Sequence, residues 1–104
     1  MKINKKYVTS ARPFMEKLLK DPEVRFYYEQ ERAKTQIAMA VKTARVKAHL
    51  TQAGLAKKIG STQSAIARME SGKDERTPTL PLLARIAATC GGNLELSFNF
   101  KHAN

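Results

Sequence analysis

A single cysteine, Cys90, stands in 104 residues. It has no partner for an intramolecular disulfide, and its neighbours in LARIAATCGG are small and apolar, so a buried place in a helix is expected for it. No apolar run approaches the ~18 residues that a bilayer span requires. The amino terminus, MKINKKYVTSARPF, is basic and lacks an apolar h-region, so it is not expected to act as a secretory signal. With neither a disulfide framework nor a signal, a cytoplasmic location is the expectation. Metal ligands are sparse. His49 and His102 lie far apart and have no Cys or carboxylate companions at ligand spacing, so no metal site is expected. No Ser, His and Asp arrangement suggests a nucleophile, and no Gly-rich loop follows a strand. The chain is therefore not expected to be an enzyme, and no catalytic residue or cofactor is assigned. Internal repeats and low-complexity tracts are also missing.

Acidic residues are scarce as well. Nineteen Lys and Arg stand against nine Asp and Glu, for a net charge of +10 and a pI near 10.1. The first fifty residues hold twelve of the cations and five of the acids, a net +7, and the remainder holds +3. Such a chain attracts polyanions, of which nucleic acid is the commonest. The alternative is charge kept only for solubility.

The length suits one domain with an added arm. Residues 1–10 carry Lys2, Lys5 and Lys6 among few apolar side chains and are expected to be loosely ordered. Phe14, Met15, Leu18 and Leu19 then make one apolar face of a short helix within residues 11–20. Asp21-Pro22-Glu23 is a helix start: an acceptor at the cap, Pro at the first position and an acid in the first turn. The helix that follows carries Val24, Tyr27 and Tyr28. The apolar set of residues 14–28 either packs on the domain or forms an arm awaiting a partner. From Thr35 to Ala48 a stripe of Ile37, Ala40, Val41, Ala44 and Ala48 has helical spacing. No Pro or Gly separates it from the previous helix, so the two either run together or break near Ala33-Lys34.

Thr51 can cap a helix over residues 52–59 that ends at Gly60, and Thr62 a second over 63–71 that ends at Gly72. GKDERTP reads as a polar loop. Thr79 can cap a helix over 80–90 with Leu80, Leu83, Ile86 and Ala87 facing the core, and Gly91-Gly92 ends it. The period then changes. Leu94, Leu96, Phe98 and Phe100 alternate with Glu95, Ser97 and Asn99, as in a half-buried strand.

LTQAGLAKKIGSTQSAIARMESGK is the informative stretch. Leu55, Ile59, Ile66 and Met69 are apolar where two short helices would press together. Ala56 is small where they cross, and Gly60 stands at the sharp turn between them. Over about residues 35–90 the chain closely resembles the lambdoid phage repressors and the wider Xre-type helix-turn-helix regulators. The resemblance implies a mostly α, lambda-repressor-like bundle over residues 35–92. The N-terminal helical arm of residues 1–34 is expected to be partly disordered, and residues 93–104 to supply one C-terminal β-strand and a tail. It also implies double-stranded operator DNA as partner and a nucleoid-associated place in the cytoplasm. Gln52 is implied to contact a phosphate and brace the recognition helix. Thr62, Gln63 and Ser64 stand at that helix's start, where family members touch phosphates and base edges, and Arg68 lies one turn further along. Arg suits guanine and Gln suits adenine, while Lys73 suits a phosphate. Arg45 and Glu70 match a structural ion pair of the phage repressors. Lys57 and Lys58 are expected to be solvated, with weak phosphate contact at most.

Two features depart from the family pattern. Gly54 lies inside a helix, at a propensity cost of up to ~1 kcal/mol. Ala65 and Ala67 leave base reading to Gln63, Ser64 and Arg68, so DNA shape is expected to supply part of the specificity.

The layout is similar to HigA-type antitoxins of type II toxin–antitoxin modules, many of which have a DPE-begun helix before the domain. The final strand resembles that of HipB-type antitoxins, which dimerise through it. That resemblance implies a RelE/HigB-like mRNA-cleaving toxin as partner, bound by Phe14, Met15, Leu18, Leu19, Val24, Tyr27 and Tyr28. Because such toxins are usually basic, neutralisation would also draw on Glu16, Asp21, Glu23, Glu29 and Glu31. It further implies repression of the shared operon and a homodimer joined through Leu94, Leu96, Phe98 and Phe100. The alternatives are a stand-alone prophage or metabolic repressor and, from another class, a protein-interaction adaptor that reuses the fold without DNA. The polar face of Gln63, Ser64 and Arg68 argues against the adaptor.

Overall fold

The computed structural model describes the backbone of residues 5–100 and the side chains of residues 12–100. His102 lies outside the described residues. Five helices follow one another: α1 (Lys5–Leu18), α2 (Pro22–Lys47), α3 (Gln52–Ile59), α4 (Gln63–Ser71) and α5 (Leu80–Thr89). Residues 1–35 and 36–104 form two compact units. None of the described helices is long and apolar enough to cross a membrane.

In the first unit, α1 begins at Lys5, earlier than its apolar face alone suggested, and runs through Pro13. Proline has no N–H to give the preceding turn. Leu19 falls in the turn after the helix and is half-buried, whereas Phe14, Met15 and Leu18 are exposed. Asp21 starts α2 as its chemistry requires: its Oδ1 accepts the Glu23 N–H at 3.0 Å. The helix then continues without a break through Ala33-Lys34 to Lys47. Surface pairs support it, with Glu29 3.5 Å from Arg25 and 3.9 Å from Arg32, and Glu31 3.3 Å from Lys34. Each is worth a few tenths of a kcal/mol. Two of the acids expected to meet a basic partner, Glu29 and Glu31, are thus already paired within their own helix.

The second unit is built around Val41, Leu55, Ala56, Ile59, Ile66 and Ile86, with Ile37, Leu50, Met69, Leu82, Leu83 and Cys90 packed against them. Each helix start is capped by a threonine. Thr51 accepts the Gly54 N–H at 2.9 Å, Thr62 the Ala65 N–H at 3.1 Å and Thr79 the Leu82 N–H at 3.2 Å. Gly60 and Gly72 take the left-handed conformation at the ends of α3 and α4, with φ of +72° and +70°. Ala56 is buried in the core of this unit. Gly54 lies in α3 close under its cap, where a Cβ would stand 3.1 Å from Thr51 Oγ1.

The structure corrects several expectations. Ala40 is exposed, and Ala38 is buried in its place. Ala40 lines an open groove with Met39, Ala44, Ala87 and Gly91, while Ala38 faces Gly72, where a Cβ would come within 3.6 Å of it. Leu80, in the first turn of α5, is exposed, and Leu82 and Leu83 supply the contacts. Cys90 is half-buried and caps α5 just past its last residue, and burial pushes its thiol pKa up. No strand occurs among the described residues: 93–100 lie outside regular structure, with every residue exposed. A strand is defined by a hydrogen-bonded ladder, and none of the described residues pairs with this segment. Residues 6–9, Lys6-Tyr7-Val8-Thr9, are helical within α1 and offer it no strand.

Candidate nucleic-acid interface

Three residues, Gly60, Ser61 and Thr62, separate α3 from α4. This short connection sets the two helices against each other and leaves α4 with two unlike sides. Ile66 is fully buried and Met69 packs on the core. The opposite side carries Ser64, Arg68 and Ser71, exposed at spacings that share one helical face, and Gln63 is exposed at the head of the helix. Thr62 at its head and Lys73 just beyond its end are exposed as well. Ala65 and Ala67 are half-buried and add no polar group.

A chain of polar side chains holds α4 in place. Arg45, near the end of α2, makes a two-pronged contact with Glu70: Nε to Oε2 at 2.6 Å and a second guanidinium nitrogen to Oε1 at 3.0 Å. Its remaining nitrogen donates to the Leu50 carbonyl at 2.8 Å. Gln52, the first residue of α3, donates to Glu70 Oε1 at 3.2 Å and accepts from the Gln63 amide at 2.9 Å. Three helices therefore meet on one carboxylate whose side chain is 5% exposed. Burial pushes the Glu70 carboxyl up, but the hydrogen bonds from Arg45 and Gln52 outweigh it and hold the group below the usual glutamate range. The same contact raises the Arg45 guanidinium. A bidentate, charge-assisted pair fixes geometry as well as energy. Of the residues named from sequence, Gln52 and Gln63 are thus joined to each other, whereas Ser64, Arg68 and Lys73 are offered to solvent. Lys57 and Lys58 are also exposed.

The loop after α4 adds groups that sequence reading passed over as a polar connection. Asp74 Oδ2 lies 3.6 Å from Arg68 Nε, and its Oδ1 lies 3.6 Å from Arg76 Nε. Only the order Lys73-Asp74-Glu75-Arg76 directly behind α4 hinted at them. On α2, Phe26 was also missed, because it breaks the stripe of Val24, Tyr27 and Tyr28; it is strongly exposed.

Such a surface, a rigidly held helix with short polar side chains, a guanidinium and a following lysine, suits the edge of a nucleic-acid groove. A family model described as helix-turn-helix matches residues 41–96, more than half of the chain. No solved structure matches it.

Proposed function

Because the chain belongs to the helix-turn-helix family of DNA-binding transcriptional regulators, we propose that it represses transcription by reading operator DNA with the exposed face of α4. Gln63, Ser64 and Arg68 meet base edges, and Thr62, Gln52 and Lys73 meet phosphates. The observation that carries this reading is the division of labour in α4. Glu70, Ile66 and Met69 lock the helix inward, while Gln63, Ser64 and Arg68 stay in contact with solvent. The test begins with selection of a preferred duplex from a random library, followed by titrations at several salt concentrations. Arg68→Ala is expected to lose ~1–3 kcal/mol on the selected duplex and to relax preference at one base pair. Lys73→Ala is expected to weaken all duplexes alike and flatten the salt slope by about one. Wild-type binding by Arg68→Ala would rule out this assignment of the reading face.

The chain is further read as the antitoxin of a type II module, neutralising a RelE/HigB-like toxin through residues 1–34 and repressing its own operon. What supports this is the exposed apolar set on α1 and the start of α2: Phe14, Met15, Leu18, Tyr27 and Tyr28, now joined by Phe26. Soluble proteins seldom leave so many large apolar groups bare without a partner. Leu19 and Val24 are half-buried. Deleting residues 1–34 is expected to abolish growth rescue against the toxin of the adjacent gene while leaving DNA binding. Rescue by the truncated chain would leave the stand-alone repressor as the better reading.

A further inference from the structure

We infer that Asp74 is a specificity-determining residue: it holds Arg68 and Arg76 at the DNA-facing surface and penalises any duplex that offers them phosphates alone. The inference rests on the DNA-reading function proposed above. Asp74 lies in the loop between α4 and α5, with one carboxylate oxygen 3.6 Å from each arginine. Neither arginine is what positions it. Its Oδ1 accepts the backbone N–H of Arg76 at 3.0 Å, a tight local turn that fixes the carboxylate from within the loop. That hydrogen bond and the neighbouring guanidinium charges hold its carboxyl below the usual aspartate range.

The order of exposure matters. Asp74 is 21% exposed at its side chain, Arg68 52% and Arg76 75%. The acid therefore sits beneath two outward cations. Exposed ion pairs of this kind contribute little to folding, so stability does not account for the cluster. Its larger effect falls on a polyanion. The carboxylate stands within one Debye length, ~8 Å at physiological ionic strength, of any phosphate that the arginines touch. It cancels part of their charge and repels that phosphate. To reach a base edge, Arg68 must give up Asp74. Guanine returns two well-directed hydrogen bonds in exchange, whereas a random sequence returns only a screened phosphate contact. The acid thus taxes random DNA more than the operator.

Asp74→Asn removes the charge and keeps the oxygen that accepts the Arg76 N–H, and Asp74→Ser likewise keeps an acceptor. The full-length chain and these variants are titrated against the selected duplex and a random-sequence duplex at several salt concentrations. Both variants are expected to bind the random duplex about five- to tenfold tighter near 0.1 M salt, one phosphate's share of counterion release, with a salt slope steeper by about 0.9. The ratio of selected to random affinity should fall, and Asp74→Glu should restore it. Random-duplex affinity and slope equal to wild type, or weaker binding in both variants, would overturn the inference. A wild-type chain that prefers no duplex would instead overturn the DNA-reading proposal beneath it.

Discussion

Glu70 shows how much a single ionised group can organise. Its carboxylate gathers Arg45 from α2 and Gln52 from α3, and through Gln52 reaches Gln63 at the head of its own helix. Removing one partner of such a pair is costlier than the pair is valuable, because a nearly buried charge is left alone. Arg45→Ala is expected to cost about 3 kcal/mol. The pH dependence follows from the depressed Glu70 pKa. A carboxyl held lower in the folded chain stabilises it above the unfolded value, about 4.3, and this contribution is lost as pH falls through the folded value. The stability gap between wild type and Glu70→Gln should therefore be constant from pH 7 to pH 5 and close below about pH 4. Denaturant unfolding at pH 7 and pH 3 measures it, and a gap that ignores pH would remove the charge from this account. The Arg45–Glu70 contact was legible in the sequence through the resemblance of its two positions to a known pair. The ring of Arg68, Asp74 and Arg76 was not, because its members meet only once the loop has folded back beside α4.

At the scale of the helices, the most local chemistry was the easiest to read. Thr51, Thr62 and Thr79 cap from their own side chains, and Gly60, Gly72 and Gly91 end helices with φ from +70° to +89°. Each choice is made within a few residues, so neighbours in sequence suffice. The end of α2 breaks the rule. His49 takes φ +59° there, the same left-handed stop without a glycine. The Leu50 N–H reaches back to the Arg45 carbonyl at 3.1 Å and the His49 N–H to Val46 at 3.0 Å, the paired bonds of such a stop. His49→Gly should relieve the Cβ penalty and stabilise the chain by about 0.5–1 kcal/mol, raising Tm by a few degrees. A lower melting point in calorimetry would mean that the imidazole contributes more than it costs. Buried stripes were less legible than ends. Ala38 and Ala40 are the same residue two places apart, yet Ala38 is buried with Gly72 beside it and Ala40 is exposed, a difference set by the fold around them.

For the whole molecule, the tail is where one chain's sequence and one chain's structure diverge. The alternation of Leu94, Leu96, Phe98 and Phe100 is plain in the sequence, and the rings of Phe98 and Phe100 lie 6.4 Å apart, as two residues on one side of an extended segment would. A ladder needs a second strand, which we propose comes from a second copy across a two-fold axis. Leu96→Asp with Phe98→Asp should then yield monomers by analytical ultracentrifugation and weaken operator binding severely. A dimer that survives both changes would place the interface elsewhere. The polar network carries a different consequence for motion. A nine-residue helix such as α4 has little stability of its own. With Arg45, Gln52 and Glu70 tying it to two other helices, it has no inexpensive local opening. Its amides are then protected from hydrogen exchange until the unit around it unfolds, whereas the amides of residues 93–100 are protected only where a second copy pairs with them, and in the monomer exchange at once.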